Sequence, residues 1–360
     1  MTTDTIELKS GQLIAKSEIR KACFLFWGLI GDVFVRVAVI EAFKQYYPDT
    51  RITVIVDPAA QPVLANHPDV DQVYVYSRKK KPRNRYLLNS IRHLWYLRKQ
   101  HFDLFVNLYS GGSSPLVTRV VNASVRLGFD HTASLRKVNN LLVKHPSFCQ
   151  HWTKQFARIL EPLGIPATAV RQGTSYYCHQ ESLAFAQQLF AGDAQQYVLI
   201  NLGARIAVKR WDLSRFVELA ASLYQRYRLC PLVLTNPDMQ DLAVEFCERY
   251  QAHGPYRQLP VLPLDQVAAV MRHAQFVITG DTSIMHLAFG LKLPTLVLFT
   301  YTRPEIVSPI DCLHQDCFVE NPANTDECGN PLGSPDIPLA MALDKFDTLY
   351  QQKLAEQGST

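Results

Sequence analysis

The stretch TGDTSIMHLAFGLKLPTLVLF, residues 279–299, places a glycine, an acid, two hydroxyl residues and a histidine between apolar runs. The run AQFVI comes just before it, and PTLVLF closes it. Both runs have the length of a buried strand, and the residues between them have the spacing of a helix. A strand, a helix and a second strand in this order are typical of a parallel sheet. The stretch therefore predicts an α/β fold.

The polar residues of this stretch fall where the first strand meets the helix. We expect Asp281 to end the strand, and Thr282 and Ser283 to begin the helix. The first N–H groups of a helix lack internal partners and bind anions readily. His286 comes four residues after Thr282 and therefore shares its helix face. The alternative is structural: Asp281 or Thr282 caps the helix, and the histidine is satisfied within the fold.

The alternation of strands and helices extends along the chain in both directions. Runs such as RITVIV, YVLIN and CPLVLTN are strand-like, and amphipathic segments such as LSRFVELAASLYQRY follow them. Residues 164–178 break this rhythm with Gly, Pro and Thr, so the domain boundary is expected there. The sequence predicts a flexible tail at 1–20, Rossmann-like domains at 21–170 and 171–340, and a C-terminal helix at 341–360.

Length and composition narrow the class of protein. A chain of 360 residues suits two domains, and 48% apolar with 19% charged residues is typical of a globular protein. No apolar run reaches the roughly 18 residues of a membrane-spanning helix. The N-terminal stretch is polar and carries acids, unlike a secretory signal. The expected location is the cytoplasm.

Positive charge is concentrated in one segment. Residues 78–99 contain nine Lys or Arg and no acid, so subtracting nine from the net charge of +5 leaves −4 for the rest of the chain. Such a segment suits phosphates on a lipid surface, on nucleic acid or on an anionic acceptor. The alternative is a solvated helix preceded by a basic loop.

A second candidate loop lies in NLGARIAVKRWDLSRF, residues 201–216. A predicted strand ends at Asn201, and Lys209 and Arg210 follow a glycine-containing loop. Two adjacent cations suit a diphosphate, because Lys supplies a point charge and Arg a two-pronged donor. The alternative is an ordinary surface pair.

A third candidate loop is GLIGDV, residues 28–33. Asp32 opens a predicted helix after a strand, so it either caps that helix or acts as a general base. The chain has no G-x-G-x-x-G motif in this position, which disfavours a dinucleotide-dependent oxidoreductase.

Two patterns raise the question of a metal site. Asp69 and Asp71 form an acid-x-acid pair, but they precede a strand where turn residues belong. Cysteines 312, 317 and 328 with His314 have suitable ligand chemistry but not the spacing of a zinc finger. We therefore predict no metal site.

Four blocks of the sequence, taken together, resemble the heptosyltransferase family, glycosyltransferase family 9. They are GDVFVRVAVIEAFKQYYPDTRITVIVDPAAQPVLANHPDVDQVYVY, FDLFVNLYSGGSSPLVTRVVNASVRLGFD, LGARIAVKRWDLSRFVELAASL and TGDTSIMHLAFGLKLPTLVLF. The resemblance spans roughly residues 22–345. It implies a GT-B fold, in which two Rossmann-like domains face a cleft. The N-terminal domain would bind the acceptor and the C-terminal domain the donor.

The resemblance also implies roles for individual residues. The family's base falls on Asp32, and its phosphate-binding lysine falls on Lys209. Its donor-site Asp-Thr and the following histidine fall on Asp281, Thr282 and His286. Arg210 belongs to the donor set as the second cation beside Lys209, and Ser283 belongs to it as one of the residues that begin the helix. The family's ribose-binding acid falls in TNPDMQD, which makes Asp238 or Asp241 the candidate.

This sequence departs from the family at three places. The proline that usually follows the Gly-Asp motif is replaced by VAVI, and the hydroxyl-rich loop before the lysine is ARIAV. The glycine that often follows the Asp-Thr pair is Ser283. The loss of hydroxyls before Lys209 removes phosphate contacts that the family pattern supplies.

The expected activity is an inverting, metal-independent transfer of heptose from ADP-heptose to a lipopolysaccharide inner-core acceptor, without a cofactor. The expected partners are the nucleotide-sugar donor, an anionic lipid-linked glycan acceptor and the inner membrane surface on its cytoplasmic face, but not nucleic acid. The residues expected to bind the acceptor are Lys79, Lys80, Lys81, Arg83, Arg85 and Arg119. The alternatives are a transferase of another nucleotide sugar to a cell-surface glycan, a GT-B-type sugar-nucleotide epimerase and a non-catalytic nucleotide-sugar binder.

Overall fold

Two parallel β-sheets organise the chain, one in each of two units. In the computed structural model the units are Met1–Thr174 and Ser175–Thr360. The division lies inside the segment 164–178. The structure describes residues 4–78, 83–109, 111–145, 147 and 149–358, without the side chains of 83–87.

The first unit contains a short antiparallel pair and a six-stranded parallel sheet. Its strands are β1 (Thr5–Glu7), β2 (Leu13–Ala15), β3 (Lys21–Leu25), β4 (Arg51–Val56), β5 (Gln72–Val75), β6 (Phe102–Asn107), β7 (Ala123–Phe129) and β8 (Leu141–Val143). The sheet has the order β5-β4-β3-β6-β7-β8. All neighbouring strands in it are parallel, as the alternating sequence pattern predicted.

Helices connect these strands. They are α1 (Ile30–Phe34), α2 (Val37–Tyr46), α3 (Gln61–Leu64), α4 (Arg83–Lys99), α5 (Ser114–Val120), α6 (Ala133–Val138) and α7 (Trp152–Ala157). The 3₁₀ helices are Lys16–Glu18, Pro58–Ala60, Arg158–Leu163 and Ala167–Ala169. Asp32 was predicted to open a helix, and the structure divides this region into α1 and α2. The helix is interrupted at Val35–Arg36, where the Arg36 side chain turns inward and donates to the carbonyl of Trp27.

The N-terminal stretch differs from the flexible tail that we predicted for residues 1–20. In β1 and β2, Ile6 pairs with Ile14, and both side chains are buried. Lys9 donates from its backbone N–H to Asn140 O at 3.0 Å and from Nζ to Asn139 O at 3.0 Å. Alternate apolar residues and these hydrogen bonds fix the stretch to the first unit.

The second unit repeats the architecture. Its strands are β9 (Gln196–Asn201), β10 (Leu229–Val233), β11 (Arg257–Gln258), β12 (Ala274–Gly280), β13 (Thr295–Phe299), β14 (His314–Phe318), β15 (Glu320–Thr325) and β16 (Pro331–Gly333). The parallel sheet has the order β11-β10-β9-β12-β13-β14, and β15 pairs antiparallel with β16.

The helices of the second unit bury apolar faces against its sheet. They are α8 (Gln180–Leu189), α9 (Leu213–Tyr227), α10 (Gln240–Tyr250), α11 (Leu264–Met271), α12 (Ser283–Gly290), α13 (Pro304–Val307) and α14 (Leu339–Gly358), with 3₁₀ helices at Ala207–Lys209 and Pro237–Met239. Asp212 caps α9 by accepting from Arg215 N at 3.1 Å. Trp211 Nε1 donates to Ile337 O at 2.9 Å, which anchors the chain just before α14.

The strand order determines where a ligand can approach each sheet. The order reverses between β3 and β6 in the first unit and between β9 and β12 in the second. Loops leave the two strands in opposite directions at such a switch point, and the crevice at their carboxyl ends is the usual ligand site of doubly wound folds. The three candidate loops of the sequence follow β3, β9 and β12. Within the described residues, no helix is both long and apolar enough to cross a membrane.

The packing of α14 yields a test of the fold. Phe346 is fully buried, and its ring centroid lies 5.0 Å from that of Phe276 on β12. We expect Phe346→Ala to destabilise the second unit by about 3–5 kcal/mol, because the change leaves a cavity under the helix. Thermal unfolding followed by circular dichroism measures the change. Leu354→Ala, at an exposed position of the same helix, is the matched control and should shift the melting temperature far less. Equal shifts would contradict this packing.

Candidate functional site

Two strand ends define the candidate site of the second unit. Asn201 ends β9 and lies beside Thr279 of β12 in the parallel register. Asn201 Nδ2 donates to Thr279 Oγ1 at 2.9 Å and to Thr282 Oγ1 at 3.1 Å. The buried amide thus links the ends of the two strands between which the order reverses.

Asp281 follows β12 directly and contacts two side chains. Its Oδ2 atom accepts hydrogen bonds from the Lys209 ammonium and the Thr302 hydroxyl. The side chains of Lys209 and Asp281 are 22% and 10% exposed, so solvent screens their attraction only weakly. Burial disfavours the charged form of Asp281, but Lys209 and Thr302 outweigh it and hold the pKa of this carboxyl below its usual range. Lys209 and Asp281, predicted from separate loops, therefore form one ion pair.

Thr282 is the N-cap of α12. Its Oγ1 atom accepts a hydrogen bond from Ile284 N at 3.2 Å. Thr282 therefore caps the helix, as the structural alternative predicted, because its hydroxyl accepts from one N–H group of the first turn. Ser283, the first helical residue, is half-buried beside it. The positive end of the helix dipole adds to the charge of Lys209 near Asp281, which suits the arrival of an anion.

His286 lies one turn further along α12. Its backbone N–H donates to Thr282 O at 3.4 Å, and the residue is only 8% exposed. Its charge when protonated helps to lower the pKa of Asp281. The sequence placed His286 on a helix face open to a ligand, whereas the structure buries the residue.

The loop that carries Lys209 is tied to its neighbours. Thr300 Oγ1 donates to Val208 O at 2.9 Å, and Arg210 Nε donates to Ala204 O at 2.8 Å. A Cβ atom on Gly280 would lie 3.2 Å from Lys209 O, so the glycine allows this close approach. Arg210 stabilises the loop through its Nε atom, although the residue as a whole is exposed. The loop therefore holds Lys209 in a fixed position.

The candidate ribose acids lie after β10. Asp238 and Asp241 are both exposed, and Asp238 N donates to Asn236 Oδ1 at 3.2 Å. A Cβ atom on Gly203 would overlap the sulfur of Met239, so this turn borders the loop after β9. The structure places both acids on the rim of the same sheet edge but does not bring either into contact with Asp281.

Asp32, the candidate base, lies in the first turn of α1 in the first unit. Its Oδ2 atom accepts a hydrogen bond from Leu29 N at 2.6 Å, as the acid of a capping box does. Gly28 has a φ of 143°, and a Cβ atom there would lie 2.5 Å from Asp32 Oδ2 and 2.7 Å from its Cβ. Only glycine therefore fits beside this carboxylate.

An ion pair between Asp57 and Arg78 supports the loop before Asp32. Arg78 Nε donates to Asp57 Oδ1 at 2.9 Å, while Asp57 Oδ2 accepts from Gly28 N at 3.2 Å. Arg78 NH1 donates to Tyr109 OH at 3.1 Å. The guanidinium carbon lies 4.9 Å from the ring centroids of both Trp27 and Tyr109. The hydrogen bonds to Asp57 raise the pKa of Arg78, so the guanidinium stays charged.

Arg36 holds the same loop from another direction. The residue is 6% exposed, and its NH1 atom donates to Trp27 O at 2.7 Å. Burial lowers the pKa of Arg36 to about 10, and the negative charge of Asp32 opposes this shift. Backbone groups of Trp27, Gly28 and Leu29 thus bond in turn to the side chains of Arg36, Asp57 and Asp32.

The predicted acceptor residues are only partly described. Lys79, Lys80 and Lys81 lie outside the described residues. Arg83 and Arg85 lie in α4, but their side chains are not described. Arg119 lies near the end of α5 and is exposed.

The alternative metal ligands have other partners. The Cys312 sulfur donates to Leu293 O at 3.4 Å, and His314 Nδ1 lies 2.8 Å from Cys312 O. Burial raises the pKa of Cys312 and of Cys317 to about 12. Asp71 Oδ2 accepts from Ile52 N at 2.7 Å, a structural contact within the first sheet.

Sequence reasoning missed several polar residues of these two sites. Thr302 follows β13 and Asp57 follows β4, each just past the carboxyl end of a strand. Asn201 was read only as a strand end. The signal available for all three was their position, because ligands of doubly wound folds bind at the carboxyl ends of the strands. Arg36 carried no such signal, because a helical arginine is usually exposed.

The Lys209–Asp281 pair leads to a test of anion binding. We expect Lys209→Met to weaken ADP binding by about 10-fold or more, because it removes the cation beside the helix N-terminus. Isothermal titration calorimetry on the folded variant measures the affinity. Lys292→Met is the matched control, because Lys292 pairs with Asp311 at 2.6 Å elsewhere in the same unit. Unchanged ADP affinity in Lys209→Met would exclude Lys209 from the anion site.

The support of the Asp32 loop leads to a second test. We expect Asp57→Ala to lower turnover by about 10-fold with little change in ADP affinity, because it loosens the loop in the first unit only. Turnover at saturating donor and acceptor and ADP titration separate the two effects. Asp71→Ala removes a comparable bond to a backbone N–H and should lower the melting temperature without lowering turnover of the folded enzyme. If both variants lost turnover equally, Asp57 would have no special role at the loop.

Comparison with known proteins places the chain in a family. Residues 91–329 match glycosyltransferase family 9 (heptosyltransferase). The Escherichia coli protein named lipopolysaccharide heptosyltransferase 3 is 28% identical over 280 residues, which cover 76% of this chain and 81% of that protein.

Solved structures share the fold. A family 9 glycosyl transferase from Veillonella parvula superposes with a TM-score of 0.77 at 19% identity, covering 92% of this chain and 97% of that one. The E. coli ADP-heptose LPS heptosyltransferase II gives a TM-score of 0.75 at 17% identity, covering 92% and 99%. The predicted α/β class, the GT-B fold and the family resemblance are confirmed. The chain belongs to glycosyltransferase family 9, the heptosyltransferases.

Proposed function

We propose that this enzyme transfers heptose from ADP-heptose to an anionic, lipid-linked acceptor of the lipopolysaccharide inner core, with inversion at the anomeric carbon. Family membership and the names of its relatives support this assignment. The observation that carries it is the contact of Lys209 with Asp281 at the switch point of the second sheet, beside the N-terminus of α12.

The donor's diphosphate binds at this N-terminus. Lys209 supplies the opposite charge, and the N–H groups at Thr282 and Ser283 supply the dipole's positive end. Asp281 is itself an anion and repels phosphate, so we assign it to holding Lys209 and Thr302 in place. The exposed Arg210 adds a second cation at the entrance of the loop.

The remaining donor contacts fall on the rim of the second unit. Asp238 or Asp241 accepts hydrogen bonds from the ribose hydroxyls, because both are exposed carboxylates after β10. His286 is buried one turn after Thr282 and acts on the site indirectly, because its charge when protonated lowers the pKa of Asp281.

Asp32 is the general base in this proposal. Its carboxylate removes the proton from the acceptor hydroxyl while that oxygen forms a bond to the anomeric carbon. The bond from the anomeric carbon to the diphosphate breaks at the same time, and ADP departs with the electron pair. One attack from the opposite side inverts the configuration, and no covalent enzyme intermediate forms.

Charge stabilisation on the leaving group falls to Lys209 and the α12 N-terminus. Both are fixed before the donor arrives, because the lysine loop is tied down by Thr300 and Arg210. Preorganised charge of this kind stabilises the transition state without reorganisation. The proposed reaction is therefore metal-independent and uses no cofactor.

The acceptor is anionic, and the basic segment 78–99 suits its phosphates. Lys79, Lys80, Lys81, Arg83, Arg85 and Arg119 are the proposed contacts. We place the enzyme at the cytoplasmic face of the inner membrane, where a lipid-linked acceptor is accessible, and assign it no nucleic-acid partner. An epimerase of the same fold would need no acceptor and would leave the basic segment unexplained.

The test of the base is Asp32→Asn. The amide retains an oxygen for the Leu29 N–H but cannot accept the proton, so we expect turnover to fall by about 10²-fold or more. Transfer from ADP-heptose to a lipopolysaccharide precursor, followed by mass spectrometry, measures it. Asp49→Asn, at an exposed acid of the same unit, is the control and should retain wild-type turnover. Wild-type turnover in Asp32→Asn would refute the assignment.

Nucleotide selectivity separates the donor from its alternatives. ADP should raise the melting temperature of the wild-type protein more than UDP or GDP does. Stabilisation by UDP or GDP alone would retain the transferase but exclude ADP-heptose. No stabilisation by any of the three would refute the donor site.

A further inference from the structure

Helix α4 exposes large apolar side chains on the side away from its own core. Leu88, Ile91 and Trp95 are 68%, 56% and 59% exposed. Their spacing of three and then four residues places them on one helix face. The opposite face carries Leu97, which is fully buried in the core of the first unit. The helix is therefore apolar on two sides, and the core of the first unit buries only one of them.

Cations lie around this exposed apolar stripe. Arg92, Arg98 and Lys99 are also exposed, and Lys99 Nζ lies 3.7 Å from the ring centroid of Trp95. We call these three cations with Leu88, Ile91 and Trp95 the outer face of α4. An exposed apolar stripe bordered by cations differs from an ordinary solvated helix, whose exposed face is polar.

Acidic side chains are nearly absent from the surrounding sequence. Residues 72–129 contain eleven Lys or Arg and a single acid, Asp103. Asp103 Oδ2 accepts from the backbone N–H groups of Arg20 and Lys21 at 2.9 and 2.8 Å, so it is engaged at the start of β3. The outer face therefore presents apolar groups within a strongly positive field.

These features together select one kind of partner. Phosphate groups attract the cations, and the interfacial zone of a bilayer accepts both leucine-sized side chains and the amphipathic tryptophan ring. A nucleic acid would use the cations but leave Leu88 and Ile91 in water. A helix of 17 residues extends about 25 Å, long enough to lie along a headgroup layer.

We propose that α4 is a membrane-contact helix whose outer face inserts into the headgroup region of a bilayer that contains anionic lipid. Leu88, Ile91 and Trp95 enter the acyl boundary, and Arg92, Arg98 and Lys99 bind lipid phosphates. The role of this contact in reaching a lipid-linked acceptor rests on the proposed function. The lipid contact itself does not.

The test uses the full chain and vesicles without donor or acceptor. The protein should sediment with vesicles of phosphatidylglycerol and phosphatidylcholine, and its tryptophan emission should shift to the blue. Of its four tryptophans, Trp95 is the exposed one that would leave water, whereas Trp27 and Trp211 are buried and Trp152 is half-buried. Vesicles of phosphatidylcholine alone should bind far less. Trp95→Phe should abolish most of the spectral shift but retain sedimentation.

A triple variant, Leu88→Ser, Ile91→Ser and Trp95→Ser, should bind anionic vesicles about 10-fold or more weakly, since it loses the inserted apolar area. These positions are exposed, so the variant should keep the wild-type circular dichroism spectrum and ADP affinity. Ile310→Ser, at a position 77% exposed in the second unit, is the matched control and should bind vesicles like the wild type.

Four outcomes would overturn the proposal. In the first, the wild type does not sediment with anionic vesicles. In the second and third, Ile310→Ser weakens vesicle binding as much as the triple variant does, or the triple variant binds vesicles like the wild type. In the fourth, the wild type is a dimer and the triple variant is a monomer. The last would mean that a second copy of the chain covers the outer face. Failure of vesicle binding with normal heptose transfer would refute this inference alone, and vesicle binding without transfer would refute only the proposed function.

Discussion

The order of strands in each sheet is the constraint on which both candidate sites depend. The first strand of each six-stranded sheet lies at the centre, and the order reverses beside it, so the loops at the carboxyl ends of these strands are the usual place for a ligand. At that edge each unit has a half-buried cation paired to a carboxylate, Arg78 with Asp57 and Lys209 with Asp281. In the first unit the pair supports the loop before Asp32, the proposed base. In the second unit the pair holds Lys209 itself, the proposed phosphate-binding residue.

Much of the fold was predictable from the sequence, since long apolar runs such as RITVIV and QFVITG are unambiguous strands of a parallel sheet. The strands that escaped are short or polar edge strands. HQDCF of β14 is stabilised by pairing with β13, not by its own composition. The N-terminal strands β1 and β2 were not predicted, because each contributes only three paired residues and the stretch around them is rich in charged residues.

The candidate site was predictable as a set of loops but not as a set of contacts. Lys209 and Asp281 are 72 positions apart, and only the folded sheet shows that Asp281 Oδ2 accepts hydrogen bonds from both Lys209 and Thr302. The loop ARIAV lacks the hydroxyls of the family pattern, and a threonine after β13 places one beside Asp281 instead. The inward turn of Arg36 was also hidden, because burial of an arginine depends on its tertiary partners.

In the proposed function, the contact between Lys209 and Asp281 also weakens the hold on the product. A diphosphate bound there would share the ammonium with Asp281, whose negative charge offsets part of the attraction of Lys209 for phosphate. Because the carboxylate stays beside the ammonium at a high effective concentration, it would weaken the binding of ADP after the transfer. The proposed site would therefore hold Lys209 in place before the reaction and shorten the residence time of ADP after it.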